Sequence, residues 1–254
     1  MKYFSARNDE SKRIFITVKS YPRPSITHGE TDCVAGVTED GAWIRIYPVK
    51  WRDLEGDNRF KKWQWIEARV AKSVKDKRKE SYEVYHESIK IVGTVDTKRK
   101  WESRKQIVLP LLDESLEQLK SSGKSIGLIK VAKLEKFIME PADTSCGLAK
   151  EHALSQVRLF DRPKQLLERL PYTFKYKFYC NGHDCKGHVA QVIDWEVCQA
   201  YRKWRHQYND VAKQLKEQFY TNMAKKDLHF FMGTPLAQHR YRVFLVIGLF
   251  YPPY

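Results

Sequence analysis

Short runs of alternating apolar and polar residues dominate the first hundred positions and predict a series of β-strands. Strands are predicted at 13–19, 31–38, 42–47 and 63–72, and a further strand region at 82–95. Asp40-Gly41, between the second and third runs, is typical of a tight hairpin. Four or five short strands with one small helical insertion favour a small OB-like or SH3-like barrel, and a five-stranded open sheet satisfies the same pattern.

The second half of the chain mixes strands with helical patterns. An amphipathic helix is predicted at 109–119, because Leu112, Leu116 and Leu119 share one stripe. Strands are predicted at 125–139, 172–179, 228–232 and 242–250, and one or two basic helices between Asp194 and about Lys225. We therefore predict a β-rich α+β fold in three parts. These are an N-terminal OB-like barrel at 1–96, a connecting helix at 97–124, and a second β unit at 125–254 with a Cys/His turn and a helical insertion.

The net positive charge of the chain indicates the class of partner that it binds. The 254 residues carry 46 Lys and Arg against 31 Asp and Glu, a formal net charge of +15. Such an excess repels itself in the compact state, so a polyanion is the simplest partner. Nucleic acid comes first and an anionic membrane surface second. No stretch approaches the ~20 apolar residues of a membrane span, and the N-terminus lacks the apolar middle of a signal peptide. We therefore expect a cytoplasmic protein without a membrane span, with nucleic acid and not a membrane as its partner.

The N-terminal barrel is expected to carry a face where basic and aromatic residues interleave. On the strand at 42–47, Ile44 and Ile46 point to the core and the alternate side chains point outward. Between Lys50 and Lys79, eleven Lys and Arg face five acids. Cations suit phosphates and rings suit unstacked bases. Alternatively, some tryptophans, Trp63 or Trp65 among them, fill the barrel. The predicted nucleic-acid-binding residues are Trp43, Arg45, Tyr47, Trp51, Arg52, Arg59, Lys61, Lys62 and Trp63.

A metal site is predicted in the turn that follows the strand at 172–179. Cys180-x4-Cys185-x2-His188 supplies two thiols and an imidazole, the donor types that zinc prefers, and glycines allow a tight turn around an ion. The five cysteines are an odd number, so a disulfide framework is not expected. The fourth ligand stays open between His183 and Cys198, with Cys146 more distant. The alternative is a pair of buried thiols beside surface histidines.

The same stretch allows a catalytic interpretation. His188, Asp194 and Glu196 have the acid, base and ligand types of a metal-dependent nuclease or phosphodiesterase. Asp194 also suits the N-cap of the following helix, and Glu196 suits its first turn. The structural interpretation is favoured because no further catalytic partner completes a nuclease site. The sequence contains no P-loop and no G-x-G-x-x-G after a strand, and it also lacks the G-x-S-x-G and H-E-x-x-H motifs.

Two stretches resemble an uncharacterised family of prokaryotic proteins. They are TVKSYPRP…ETDCVAGVTEDGAWIRIYP, and C-x4-C-x-G-H-x5-D-W-E paired with DLHFFMGT…FLVIGLFYPP. The family resembled is that of the dual-OB-domain proteins found with bacterial defence or genome-conflict genes. The resemblance implies two OB-like barrels, one in each half, and a nucleic-acid or nucleotide ligand. It draws attention to Cys180, Cys185, His188, Asp194 and Glu196.

The predicted function is therefore nucleic-acid binding, with a structural zinc turn in the second half and a protein partner from the same operon as a further expectation. The alternatives are the metal-dependent nuclease and an adaptor that binds an acidic protein or a small nucleotide. The sequence does not distinguish DNA from RNA.

Overall fold

The computed structural model describes residues 9–25, 29–54, 56–143, 168–236 and 243–254. The chain forms two compact units. One contains the segment that ends at Lys19 together with Asp32–Pro110, and the other contains Ser20–Thr31 and Leu111–Tyr254. The division at Pro110 lies within the segment 97–124, which was predicted to be a connecting helix.

The first unit is built on a closed five-stranded barrel. The strands between residues 9 and 94 are β1 (Asp9–Lys19), β2 (Arg23–Ser25), β3 (Gly29–Thr38), β4 (Trp43–Val49), β5 (Gln64–Lys72), β6 (Ser81–Val84) and β7 (Lys90–Thr94), and helix α1 follows at Lys98–Val108. In the order β1-β3-β4-β6-β5 each strand pairs with the next, β5 pairs back onto β1, and β7 adds to β5. β2 lies in the segment Ser20–Thr31 of the second unit and pairs with the start of β3 at residues 29–31.

The second unit contains another closed five-stranded barrel. Its order is β9-β10-β11-β13-β12, and β12 pairs back onto β9. Two helices, α3 and α4, lie between β11 and β12 in the chain. The elements are β8 (Leu112–Asp113), α2 (Leu116–Ser121), β9 (Ile126–Pro141), β10 (Tyr172–Cys180), β11 (His188–Val192), α3 (Trp195–Trp204), α4 (Val211–Lys216), β12 (His229–Gly233) and β13 (Leu245–Phe250).

Both barrels share one connectivity. The first three strands form a meander, the fourth pairs with the first, and the fifth lies between the third and the fourth, parallel to the third. In the first barrel the corresponding positions are taken by β6, which is parallel to β4, and by β5, which pairs with β1. This is the strand arrangement of an OB-like barrel. The predicted fold class, a β-rich α+β protein with two OB-like barrels, is confirmed.

The barrel cores come from strict alternation along the strands. On β10, Phe174, Tyr176 and Phe178 are essentially fully buried, and the residues between them face outward. The Tyr176 hydroxyl donates to the Phe219 carbonyl at 2.7 Å, so even this buried phenol is satisfied. Burial raises the pKa of Tyr176 well above its usual value.

The connecting helix predicted at 97–124 is interrupted, and the amphipathic helix predicted at 109–119 forms only from Leu116 onward. Helix α1 ends at Val108, and α2 begins only at Leu116. Pro110 has no N–H to continue a helix, and Leu112 instead pairs with Leu128 in a short parallel ladder. Ser115 then caps α2 by accepting a hydrogen bond from the Gln118 amide. Leu116 and Leu119 are buried as predicted, whereas Leu112 is exposed.

No helix among the described residues is both long and apolar enough to cross a membrane.

Candidate metal centre and candidate nucleic-acid interface

Four side chains of the second unit converge at one end of its barrel. Glu117, Cys180, Cys185 and His188 each offer one ligand atom, and these atoms all lie within 4.8 Å of one another. Among the described residues, this is the single group of three or more His, Cys, Asp or Glu side chains found in such an arrangement. A cluster of this kind can hold a metal ion.

The distances within the cluster are those of a ligand set around a small ion. His188 Nε2 lies 3.4 Å from Cys180 Sγ, 3.2 Å from Cys185 Sγ and 3.2 Å from Glu117 Oε1. Glu117 Oε2 lies 3.4 Å from Cys180 Sγ. Bond lengths of about 2.0–2.3 Å in tetrahedral geometry give ligand–ligand separations of roughly 3.3–3.8 Å. The residues present therefore fit a small metal ion.

The backbone of the turn is shaped to bring these donors together. Cys180 is the last residue of β10, His188 is the first of β11, and Phe178 and His188 are partners in the ladder. The Cys180 amide points at Cys185 Sγ at 3.3 Å. A Cβ on Gly182 would lie 2.7 Å from Ser115 Cβ, so only glycine permits the close approach of this turn to the residue that caps α2.

The electrostatics of the cluster favour neutral imidazole and a protonated thiol before a metal binds. Burial raises the pKa of the Cys180 thiol, although backbone amides of Leu116 and Gly182 donate to it. Burial lowers the pKa of His188. Burial also opposes ionisation of Glu117, but a backbone hydrogen bond and the nearby His188 outweigh it and lower the pKa of that carboxyl. A metal would displace the thiol protons, so its affinity should rise with pH.

The structure supplies a fourth donor that the sequence did not suggest. Glu117 belongs to α2, far from the Cys/His turn in sequence, and its side chain is 50% exposed. The two expected fourth ligands are elsewhere. His183 is exposed and is not in the cluster, and Cys198 is buried in the hydrophobic core on α3. Cys146 lies outside the described residues.

The three proposed catalytic residues do not form one site. Asp194 is fully buried, and its Oδ1 accepts hydrogen bonds from the amides of Glu196 and Val197 at 2.8 and 3.2 Å. It is therefore the N-cap of α3, as in the structural interpretation. His188 belongs instead to the Cys/His cluster, and neither Asp194 nor Glu196 joins that group in the described part of the chain.

The prediction that Trp43, Arg45 and Tyr47 on β4 face the solvent is wrong for Arg45. Ile44 and Ile46 are buried as expected, and Tyr47 is 38% exposed. Arg45 is on the opposite face from the two isoleucines but is only 4% exposed. Its guanidinium lies 3.9 Å from Glu80 and 3.6 Å from Cys33 Sγ, so neighbouring side chains of the first unit cover it. Trp43 is half-buried.

The tryptophans of the predicted interface are engaged by cations of their own unit. Lys19 Nζ lies 3.0 Å from the Trp51 ring centre, and Arg59 lies 4.6 Å from it on the same ring system. Trp51 and Trp63 are each only 8% exposed, and Arg104 lies 4.7 Å from the Trp63 ring. Of the predicted cations, Lys62 is buried, Arg59 and Lys61 are exposed, and the side chain of Arg52 lies outside the described part of the structure.

Another basic surface lies on the second barrel, where no interface was predicted. Seven outward residues of β9, β10 and β11 form what we call the lysine face, and the carboxylates of Glu135 and Glu140, which contact Lys177 and Lys175, border it. Lys177 pairs with Lys136 on one side and Val189 on the other, and Lys175 pairs with Gln191. Lys133 and Val189 are exposed. The lysine face consists of Lys133, Lys136, Lys175, Lys177, Tyr179, Val189 and Gln191.

Comparison with known families matches both halves of the chain. Residues 10–110 match the model of a domain of unknown function, DUF8758, and residues 112–254 match a second domain of unknown function, DUF8757. No curated protein matches the chain. The second match contains the whole metal cluster and the whole lysine face, and it covers more than half of the sequence. The chain therefore belongs to the DUF8757 family.

Proposed function

We propose that this protein binds nucleic acid through the lysine face of its second barrel. The observation that carries the proposal is the presence of four lysines, Lys133, Lys136, Lys175 and Lys177, on the outward side of neighbouring strands. The second and third strands of an OB-like barrel form the surface on which this fold commonly receives oligonucleotides. In this unit those strands are β10 and β11.

The lysines of this face suit a phosphate backbone. Lys177 and Lys175 contact Glu135 and Glu140 through side chains that are about one-third to one-half exposed. Exposed ion pairs of this kind contribute little to stability, so phosphates can replace these carboxylates at low cost. The face also carries a ring, Tyr179, and an exposed apolar residue, Val189, which suit the faces of bases.

The first barrel offers less to a ligand on the corresponding strands. Ala35 and Val37 on β3 and Arg45 on β4 are each less than 5% exposed. The rings of Trp51 and Trp63 already contact cations. Exposed cations of this unit, such as Lys61, can still attract a polyanion without base contacts. The second barrel is therefore the better-supported site.

We further propose that the metal is zinc and that its role is structural. Two thiolates, an imidazole and a carboxylate fill four positions, which leaves no protein-free position for a reacting water. The ion would tie α2 to the turn between β10 and β11. The defence context implied by the family resemblance stays a prediction.

The first test compares lysines on and off the face. The paired variant Lys136→Ala/Lys177→Ala should weaken binding of single-stranded and double-stranded DNA and RNA. It should also reduce the slope of log affinity against log salt by about 0.7–0.9 for each phosphate that the variant no longer neutralises. The matched control is Lys213→Ala/Lys216→Ala on α4, whose lysines are exposed and lie outside the face.

Equal losses of affinity in both pairs would show that binding depends on net charge alone. Weak binding that no lysine pair affects, with tight binding of an acidic protein, would favour the adaptor. Cleavage of the nucleic acid in the presence of divalent ions would favour the nuclease.

The second test concerns the metal. Elemental analysis of the purified protein should find one zinc per chain, and Cys185→Ser should lose it and unfold at a lower temperature. Cys198→Ala is the control, because Cys198 is a buried core residue outside the cluster. Full stability without metal, or metal loss in both variants, would refute the proposed site.

A further inference from the structure

We propose that Tyr179 contacts an unpaired base and that the metal-binding Cys/His turn at 180–188, called the metal turn below, holds the Tyr179 ring in place. The protein therefore prefers single-stranded to double-stranded nucleic acid. This inference rests on the proposed function and goes beyond it. Tyr179 determines the preference for single strands, and the metal at this end of the barrel keeps the Tyr179 ring in position.

Tyr179 lies at the end of the lysine face nearest the metal cluster. It follows Lys175 and Lys177 on the outward side of β10, and its ladder partner on β9 is Lys133. Lys133 Nζ lies 5.8 Å from the ring centre. The Tyr179 hydroxyl contributes to the lowered pKa of the Glu135 carboxyl, after the larger effect of Lys177. The ring therefore lies beside a cation, Lys133, that suits the phosphate of a base in contact with the ring.

The metal turn touches this ring directly. Gly187 adopts φ +89°, and a Cβ at this position would lie 3.1 Å from Tyr179 Cε1 and 3.2 Å from Cζ. The backbone of the turn therefore packs against the phenol ring, at a position where a side chain would not fit. Two residues of the face are also neighbours of ligands in sequence: Tyr179 precedes Cys180, and Val189 follows His188.

The ladder is irregular and one-sided at this end of the face. Phe178 and His188 are the last partners between β10 and β11, and the register between β9 and β10 shifts on both sides of the pair Phe178 and Tyr179. Beyond this pair β10 keeps a partner on β9, with Cys180 opposite Val131, and the ligands supply the constraint on the β11 side: Cys180 and Cys185 contact His188 Nε2, and the His188 ring packs on Phe178 at 5.3 Å. Loss of the metal should therefore loosen Tyr179 while the ladder farther along β10 remains paired.

Strandedness follows from what each part of the face can contact. Lysines reach phosphates in single strands and in duplexes alike. A duplex stacks its bases on one another, so an aromatic ring gains a stacking partner only from an unpaired base. The lysines should therefore determine salt dependence, and Tyr179 should determine the preference for single strands.

The experiment uses fluorescence anisotropy of the full chain with labelled single-stranded DNA, single-stranded RNA and a duplex of the same length. Tyr179→Leu should lose about fivefold or more in single-strand affinity, with an unchanged salt slope and unchanged duplex binding. Tyr179→Phe should retain most of the affinity. Tyr208→Leu is the control, because Tyr208 is an exposed tyrosine of the same unit that lies outside the face, whereas Tyr179 is half-buried.

A second set of measurements tests whether the metal turn is needed for the contribution of the Tyr179 ring to single-strand affinity. Cys185→Ser, or removal of the metal with a chelator, should cause the same selective loss of affinity for single strands. Tyr179→Leu should then cost little more in the Cys185→Ser background, since coupled residues are not additive. Photocrosslinking of a bromouracil-containing strand to the unmodified protein, mapped by mass spectrometry, should mark Tyr179 without requiring any variant to fold.

The two proposals fail in different ways. If the protein binds no nucleic acid at low salt, the proposed function falls and this inference with it. If binding is salt-dependent but Tyr179→Leu matches the wild type and crosslinks map elsewhere, the inference alone is overturned. Equal losses of affinity for single strands and duplexes would also overturn it.

Discussion

At the scale of single residues, Glu117 and Arg45 show how tertiary neighbours decide what a side chain does. Nothing in the local sequence of Glu117 distinguishes it from a surface helix residue, yet its carboxylate completes the Cys/His cluster. Arg45 alternates with buried isoleucines as an outward residue should, yet Glu80 and Cys33 cover it. Asp76 differs from both, because the Arg78 and Ser81 side chains that donate to this buried carboxylate are close to it in sequence.

Asp76 should contribute to stability above acidic pH. Burial would raise the pKa of Asp76, but hydrogen bonds from Arg78 and Ser81 outweigh that effect and lower it. A folded-state pKa below the unfolded value of about 3.9 stabilises the fold above that value. The contribution is then lost as pH falls through the folded-state pKa.

Asp76→Asn should therefore destabilise the protein by about 2 kcal/mol or more at neutral pH, because Arg78 would lose its buried partner. The variant should also show a flatter decline of stability in acid. Denaturant unfolding across the acidic range measures both effects. The control is Glu102→Gln on the exposed side of α1, which should change stability by less than about 0.5 kcal/mol. An unchanged acid profile in Asp76→Asn would contradict the assignment.

At the scale of elements, the start of α3 joins two parts of the second unit. Asp194 caps the helix with two hydrogen bonds and also forms an isolated bridge with Ser20. The cap positions the helical insertion between β11 and β12, whose residues Val197 and Tyr201 enter the core. Asp194, which the sequence predicted as an N-cap, therefore has a structural role. The metal ligands of the Cys/His turn precede it in the chain and form a separate group.

Replacement of the cap separates this role from a catalytic one. Asp194→Ala should destabilise the second unit by about 1–2 kcal/mol, whereas Asp194→Asn should cost less because asparagine is also a good N-cap. Thermal unfolding with tryptophan fluorescence measures the difference. Both variants should retain metal and nucleic-acid binding at temperatures where they are folded. Loss of metal in the folded Asp194→Asn protein would contradict a purely structural role.

At the scale of the whole molecule, the structural units do not follow the order of the sequence. The segment Ser20–Thr31 leaves the first barrel after β1 and belongs to the second unit. Within that unit, the Tyr21 amide donates to the Ile193 carbonyl, and its ring stacks on Trp195 at 5.9 Å. The Tyr21 hydroxyl donates to the Glu168 carbonyl at 2.8 Å. An N-terminal segment therefore helps to hold the helical insertion of the second barrel.

Tyr21→Ala should consequently destabilise the second unit by about 1–3 kcal/mol, through loss of ring packing and of one hydrogen bond. Hydrogen exchange read by mass spectrometry should show faster exchange at the start of α3 and in β11. Tyr21→Phe should recover most of the stability, since it removes the hydroxyl alone. Faster exchange confined to the first barrel would contradict the assignment of this segment.

The features that depend on residues close in sequence could be predicted before the fold was known. Period-two alternation set the strands and the inward residues of β4 and β10, because successive side chains point to opposite faces. Asp40-Gly41 marked the hairpin, and the position of Asp194 before an amphipathic run marked the cap. Cys180, Cys185 and His188 could be recognised as a set because they occupy one short turn.

The features that join distant segments could not be predicted in this way, because they depend on how the chain folds. Closure of the second barrel brought α2 to the Cys/His turn and thereby selected Glu117 in place of His183 or Cys198. Pairing of β9, β10 and β11 gathered lysines that are dispersed in sequence into one face. Packing of Trp51 and Trp63 against cations removed them from the surface. The physical reason is that periodicity fixes which face a side chain occupies, whereas what covers that face depends on contacts between residues far apart in the chain.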